Sequence, residues 1–222
     1  MLRLAGRILK WFLIVFFGSS ILAVVAFRFI PVSVTPLMVI RSINPVGSDS
    51  QKERERHWKH DWVSYDDISP WMSKAVVASE DGNFYKHHGF DFKQIEKAVE
   101  EHKHGKRQRG ASTISQQTAK NVFLWPGHSW VRKGLEAYFT VLIEAIWPKE
   151  RILEVYLNSI EMGAGIYGVE AAAEYYFKKP ASGLTKRECA LIAVSLPSPL
   201  KRDPANPSAY LNRRARQIMR YM

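Results

Sequence analysis

Seventeen consecutive residues, Trp11 to Phe27, carry no charge. A bilayer is crossed by about 20 apolar residues, and 17 lies near the lower limit. Trp11 suits one membrane interface, and Arg28 can snorkel so that Phe29 and Ile30 extend the span. The ten residues before it hold Arg3, Arg7 and Lys10 and no acid, which predicts an N-terminus on the cytoplasmic side. A cleaved signal peptide would need a small-x-small site after a shorter apolar core. Phe27-Arg28-Phe29-Ile30-Pro31 offers none. The expected organisation is a basic cytoplasmic tail (1–10), a transmembrane anchor (11–30), a membrane-proximal connector (31–68) and a folded domain (69–222). The domain then lies on the far side of a cytoplasmic membrane.

The formal net charge is +11. Nucleic acid, anionic lipid and a phosphorylated substrate all fit such a charge; an external domain makes nucleic acid the weakest of the three. A lone cysteine, Cys189, excludes an internal disulfide framework and lies in an apolar run, where a buried inert thiol is expected.

Helical spacing dominates the chain after the anchor. The connector contains an apolar patch, Leu37 to Ile40, that either packs on the domain or lies on the membrane. Gln51 to His60 is densely charged and reads as a solvated helix face or a lipid-head-group contact. Ser69-Pro70 starts a helix that runs to Glu80, and Gly82-Asn83 suits the turn that stops it. Phe92 to His102 reads as a further helix. Residues 102–110 are basic and bounded by glycine, and predict a mobile loop, either solvated or substrate-gripping. Thr113 with Gln116, and Thr185 with Glu188, form capping boxes. The first of these opens a helix whose N-terminal amides suit phosphate and whose Gln116 and Lys120 share a face. Val122 to Pro126 is either core or, beside an anchored site, a segment that dips into the bilayer or cradles a lipid tail. Arg132 to Ile146 carries an apolar stripe of Leu135, Phe139, Leu142 and Ile146; Arg132, Lys133 and Glu136 lie about 100° round from it, as the wall of a cleft would. Arg132 and Glu136 also have the spacing of an ion pair. A helix after Pro148 buries Ile152, Leu153, Tyr156 and Leu157. The pattern Gly163-x-Gly165-x-x-Gly168 is not a dinucleotide fingerprint, because a helix rather than a strand precedes it; its glycines serve tight turns and close packing. Alanine-rich Val169 to Phe177 and basic Asn212 to Met222 are further helices, and no sustained strand alternation occurs. The fold class is mainly α.

Four clusters now stand in order. They are Glu80-Asp81 with Phe84, His87 and Gly89; Gly110, Ser112-Thr113-Ile114, Gln116-Gln117 and Lys120-Asn121; Arg132-Lys133 with Glu136; and Ile152-Leu153-Glu154 with Tyr156-Leu157-Asn158, followed by Gly163, Gly165 and Gly168-Val169. From Ser69 to Met222, with the anchor, the chain resembles the peptidoglycan glycosyltransferase family (glycosyltransferase family 51), and within it the stand-alone members. The resemblance implies a lysozyme-like helical domain that polymerises lipid II on the membrane. The growing glycan, still on its lipid pyrophosphate, is the donor, and the 4-hydroxyl of incoming lipid II attacks with inversion to a β-1,4 bond. The chain ends at Met222, so the transpeptidase activity of larger family members is not expected.

Within that chemistry Glu80 suits a general base, which is worth about 10²–10⁴ in rate. Lys120, Arg132 and Lys133 suit the leaving pyrophosphate, with Ser112, Thr113 and Gln117 as phosphate or sugar contacts. Glu136 holds those cations or a divalent ion, magnesium or manganese, although no carboxylate cluster marks a metal site. Asp81, Phe84, His87 and Asn121 are expected to support the site, with Asp81 orienting the turn. The partners implied are lipid II, the growing strand, membrane lipid, and cell-wall synthesis or division proteins. Two rival functions are a lysozyme-like lytic enzyme, which needs an acid near the glycosidic oxygen instead of a cationic clamp, and a non-catalytic wall-binding scaffold.

Overall fold

The structure is a computed structural model that describes residues 2–104, 110, 112–127 and 129–222. Residues 105–109 of the expected basic loop therefore lie outside the described residues. The described chain contains eleven α-helices and one small sheet, in line with the mainly α expectation.

The apolar run forms α1 (Leu2–Phe27), a single 26-residue helix. Its first half is bare: Leu4, Ile8, Trp11 and Phe12 are each more than half exposed, as a helix needing an apolar surround would be. Its second half docks on the domain. Val24 is buried, and the Ser20 hydroxyl meets the Tyr138 hydroxyl at 2.7 Å. A helix end leaves four carbonyls without intrahelical partners. Here Trp147 Nε1 donates to the Val24 carbonyl at 2.8 Å, and Arg151 donates to the Phe27 and Ile30 carbonyls at 2.6–3.0 Å.

The connector is more structured than its proline punctuation suggests. Thr35 and Pro36 start α2 (Pro36–Ile43), whose Met38 is fully buried while Val39 and Ile43 stay exposed. The charged run forms α3 (Asp49–Arg56), but it is not wholly a solvated face, because Glu55 is fully buried. Lys59–His60 (β1) joins a sheet of order β1-β3-β2, parallel to β3 (Ile166–Tyr167), which pairs antiparallel with β2 (Glu161–Gly163). Two- and three-residue strands carry no alternation pattern, which is why helical periodicity hid them. Within the glycine run, Gly165 and Gly168 have φ of +67° and +82°, and a Cβ would stand 2.2 Å from the Arg54 carbonyl oxygen and 2.6 Å from that of Asn158. Close backbone packing is therefore their role.

The core is helical. α4 (Pro70–Glu80) packs on α10 (Lys186–Ser195), which also carries α11 (Ala209–Ile218). α6 (Ile114–Phe123) packs on α7 (Trp130–Ile146) and α8 (Lys149–Ser159). The remaining helices are α5 (Phe92–Lys103) and α9 (Val169–Phe177). α8 and α10 are buried almost all round, with Ile152, Leu153, Tyr156 and Leu157 at 0–1% exposure. Cys189 is buried in α10, and that burial pushes its thiol up to about 12.

Two helix details differ from the sequence reading. Ser69 precedes α4, but its hydroxyl donates to the Leu184 carbonyl at 2.9 Å instead of capping the helix. The buried face of α7 is Arg132, Glu136, Phe139, Thr140 and Ile143, whereas Leu135, Leu142 and Ile146 are only partly covered. An ion pair four residues apart cancels enough charge for that face to enter the interior.

Candidate active site

Glu80 is the last residue of α4, half-buried, on a helix fixed by Met72, Ala75 and Val76 in the core. Its carboxylate has two neutral donors: Gln117 Nε2 at 3.2 Å from Oε2 and Ser79 Oγ at 3.3 Å from Oε1. Burial raises its carboxyl above the ordinary glutamate range; Gln117, Ser79 and Arg202 pull it back, and Asp81 adds to the rise. Tyr156, fully buried in α8, extends the chain of contacts by donating its hydroxyl to Gln117 Oε1 at 3.3 Å.

Asp81 is buried and spent on structure. His87 Nε2 lies 3.0 and 3.1 Å from its two oxygens, and the Ile114 amide donates to Oδ2 at 3.0 Å. The aspartate thus ties the tip of α4 to the start of α6, a larger task than orienting its own turn. Phe84 is fully buried beneath His87 and Lys149 Nζ, the latter 4.3 Å from its ring centre.

The capping box at Thr113 is present, with the Thr113 amide 3.0 Å from Gln116 Oε1. The same contacts correct the expectation of a free phosphate site at that helix start. The Ile114 amide serves Asp81 and the Gln116 amide serves Thr113, while the Thr113 hydroxyl donates to the Gly89 carbonyl at 2.6 Å. Gln116 is buried in its cap. The face of α6 that borders the neighbouring cavity is instead Gln117, Lys120 and Asn121, continued by the C-cap residue Leu124, the i, i+3, i+4, i+7 set of one stripe.

Those four residues line a cavity of about 320 Å³ with Arg132, Tyr156, Trp125 and Leu37. Ser112 and Thr113 line a second, of about 290 Å³, with Glu80 and Asp81. Gln117 joins the two, bordering the first and donating to Glu80. Arg132 Nη1 contacts Glu136 Oε2 at 3.0 Å, and Lys133 Nζ contacts Glu136 Oε1. Arg132 and Glu136 are more deeply buried than a cleft wall would be, at 7% and 3% exposure, whereas Lys133 is open. Burial lowers the Lys120 ammonium below the ordinary lysine range; Glu136 raises it, and Arg132 and Lys133 lower it further. Both Glu136 oxygens are occupied by cations, so this donor set does not favour a divalent ion. Val122 and Leu124 are core, as one of the two expectations for the apolar run had it, while Trp125 stands 45% exposed at the cavity.

Three contributors went unread in the sequence. Tyr156 fitted the buried stripe of α8, and only its hydroxyl reaches the site. Ser79 sat on an apolar helix face. Arg202 belongs to the irregular proline-rich stretch, where no periodicity directs a side chain.

The transglycosylase family model matches residues 48–222. A biosynthetic peptidoglycan transglycosylase of Bacteroides thetaiotaomicron is 60% identical over 210 residues, covering 95% of this chain and 83% of that protein. Proteins of the same name from Bdellovibrio bacteriovorus and Caulobacter vibrioides are 52% and 50% identical, covering 95% and 97% of this chain and 84% and 90% of theirs. A family match over most of the length, with relatives at least half identical across nearly all of it, places this chain in the transglycosylase family.

Proposed function

We propose that the chain is a membrane-anchored peptidoglycan glycosyltransferase that polymerises lipid II into β-1,4-linked glycan, with Glu80 as general base and Lys120, Arg132 and Lys133 as the pyrophosphate-binding set. The observation that carries this reading is the Gln117 bridge. It connects a carboxylate made more basic by burial to a cavity that is cationic at Lys120 and Arg132 and apolar at Leu124 and Trp125. A polyprenyl pyrophosphate has the same two-part character.

An alcohol attacks poorly until it loses its proton. As the acceptor 4-hydroxyl oxygen bonds to the donor anomeric carbon, its proton passes to Glu80. The bond from that carbon to the pyrophosphate oxygen breaks on the opposite face, so the centre inverts. The departing group carries negative charge and needs cations, not a strong acid. Lys120 suits the task, because a lysine desolvated by burial gains most when an anion arrives. Ser112, exposed beside Glu80, is in place for a sugar or phosphate contact. Asp81, His87 and Phe84 hold the tip of α4 against α6, and Asn121 borders the cationic cavity. The anchor α1 holds residues 31–222 at the outer membrane surface, which sets the groove level with its lipid substrate.

Purified protein in detergent with labelled lipid II tests the reading. Polymer with release of undecaprenyl pyrophosphate is the expected result. Cleavage of finished sacculi without growth of lipid II would favour the lytic reading, and tight glycan binding without either reaction would favour a scaffold.

A further inference from the structure

Arg41 lies outside every cluster that drew attention in the sequence. It sits on α2, contributed by the connector, yet it borders the same 320 Å³ cavity as Lys120 and Arg132. Its side chain is 20% exposed, and its single ion pair among the described residues is a 3.9 Å contact from Nη2 to Glu161 Oε2, beyond hydrogen-bond reach. A guanidinium carries five N–H donors. None makes a hydrogen bond to the described residues, and Nε is buried without a partner. Arg132, Arg151 and Arg202 each hydrogen-bond through a terminal nitrogen, to Glu136, to the end of α1 and to the Val194 carbonyl; Arg54, whose Nε is also without a partner among the described residues, lies over the Tyr175 ring and does not border this cavity.

The surroundings repeat the signal. Glu55 Oε1 and the Tyr167 hydroxyl, both on fully buried residues, and Glu161 Oε1 also lack partners among the described residues. A buried polar group left unpaired is costly, so the Arg41–Glu161 wall of the cavity is under-satisfied. Glu161 is a weak counter-ion for Arg41. Burial pushes its carboxyl up to about 7, with Arg41 pulling it down and Glu55 pushing it further up. Leu37 stands one helical turn before Arg41 on α2, and with Leu124 and Trp125 it gives the cavity an apolar wall beside this weakly paired cation.

The geometry points to Arg41 as a further pyrophosphate-binding residue, held loosely by Glu161 until a polyprenyl pyrophosphate enters the cavity and takes its unused donors. The inference rests on the function proposed above. It makes the connector part of the binding site, because α2 supplies a cation that the Lys120–Arg132 side lacks.

The test uses the full chain in detergent and titrates farnesyl pyrophosphate, with farnesol as the control for the tail. Arg41→Met is expected to weaken farnesyl pyrophosphate binding roughly tenfold, the worth of a charge-assisted hydrogen bond, and to leave farnesol binding unchanged. KM for lipid II should rise with kcat within about twofold, and Arg41→Lys should fall between. Glu161→Gln, which frees the guanidinium without removing it, should bind equally or more tightly. Wild-type affinity and KM in Arg41→Met would overturn the inference. So would a loss in Glu161→Gln equal to that in Arg41→Met, which would make the pair a structural brace. If wild-type protein neither binds farnesyl pyrophosphate nor polymerises lipid II, the functional reading fails and Arg41 falls with it. If it polymerises while Arg41→Met keeps its KM, only the role of Arg41 falls.

Discussion

The carboxylate end of the groove and its cationic end use the same force with opposite signs. At Glu80, burial disfavours the charged form and makes a stronger base; at Lys120, burial disfavours the charged form and makes a cation that lacks an anion. Their supports differ accordingly. Glu80 receives only neutral donors, Gln117 and Ser79, whereas Arg132 and Lys133 share one acid, Glu136. In the proposed mechanism the neutral support keeps the base ready to accept a proton, and the shared acid stabilises a positive group while leaving a positive excess for the pyrophosphate. An adjacent pair makes the same point: Asp81 is filled by His87 and the Ile114 amide and builds structure, while Glu80 beside it receives only the Gln117 and Ser79 donors and is the base of the proposed mechanism.

If that division of labour holds, the largest effect falls on turnover at the carboxylate end. Glu80→Gln should lower kcat by about 10²–10⁴, the range for a lost general base, while farnesyl pyrophosphate binding by titration stays within about twofold. The same variant should be at least as stable as wild type at neutral pH. A carboxyl raised in the folded state favours folding below its unfolded pKa, and that contribution is lost as pH rises through the folded value. The glutamine carries no such loss, and thermal melts at pH 5 and pH 8 would check the sign.

At the other end the next largest effect is on the fold. Glu136→Gln leaves Arg132 buried without its counter-charge and should destabilise by about 3 kcal/mol, the lower end for breaking a buried pair. Chemical denaturation measures it. The contribution of Lys133 is discounted because its side chain is 46% exposed.

How much of this arrangement was legible in the sequence depended on range. The Thr113 and Thr185 capping boxes, the helix ending at Glu80 and the inert burial of Cys189 follow from rules that act within one helical turn or one apolar run. The tie from Asp81 to the Ile114 amide spans 33 positions, and no local rule reports it. The face of α7 was misread for a related reason. Periodicity ranks Leu135 and Leu142 above Arg132, and only the mutual neutralisation of Arg132 and Glu136 reverses that order. Arg41 stayed hidden in a connector whose apolar neighbours suggested packing or membrane contact and nothing chemical.

Two smaller effects sharpen the contrast. Binding of farnesyl pyrophosphate should take up protons, because the anion restores the charge that burial disfavours on Lys120. Affinity should therefore fall as pH rises through the lowered pKa of the free enzyme's lysine, and calorimetry in buffers of different ionisation enthalpy would detect the uptake. Lys120→Met should abolish that linkage. Tyr156→Phe removes one neutral hydrogen bond behind Gln117 and should cost about 1 kcal/mol, seen as a several-fold drop in kcat with KM unchanged.

The most direct test of a burial-tuned base is the pH dependence of kcat/KM for lipid II polymerisation. Wild-type protein should show an acid limb whose apparent pKa lies above the ordinary glutamate value of about 4.3. The residual activity of Glu80→Gln should lose that limb. An acid limb that persists unchanged in Glu80→Gln would show that another group takes the proton, and the central assignment would be wrong.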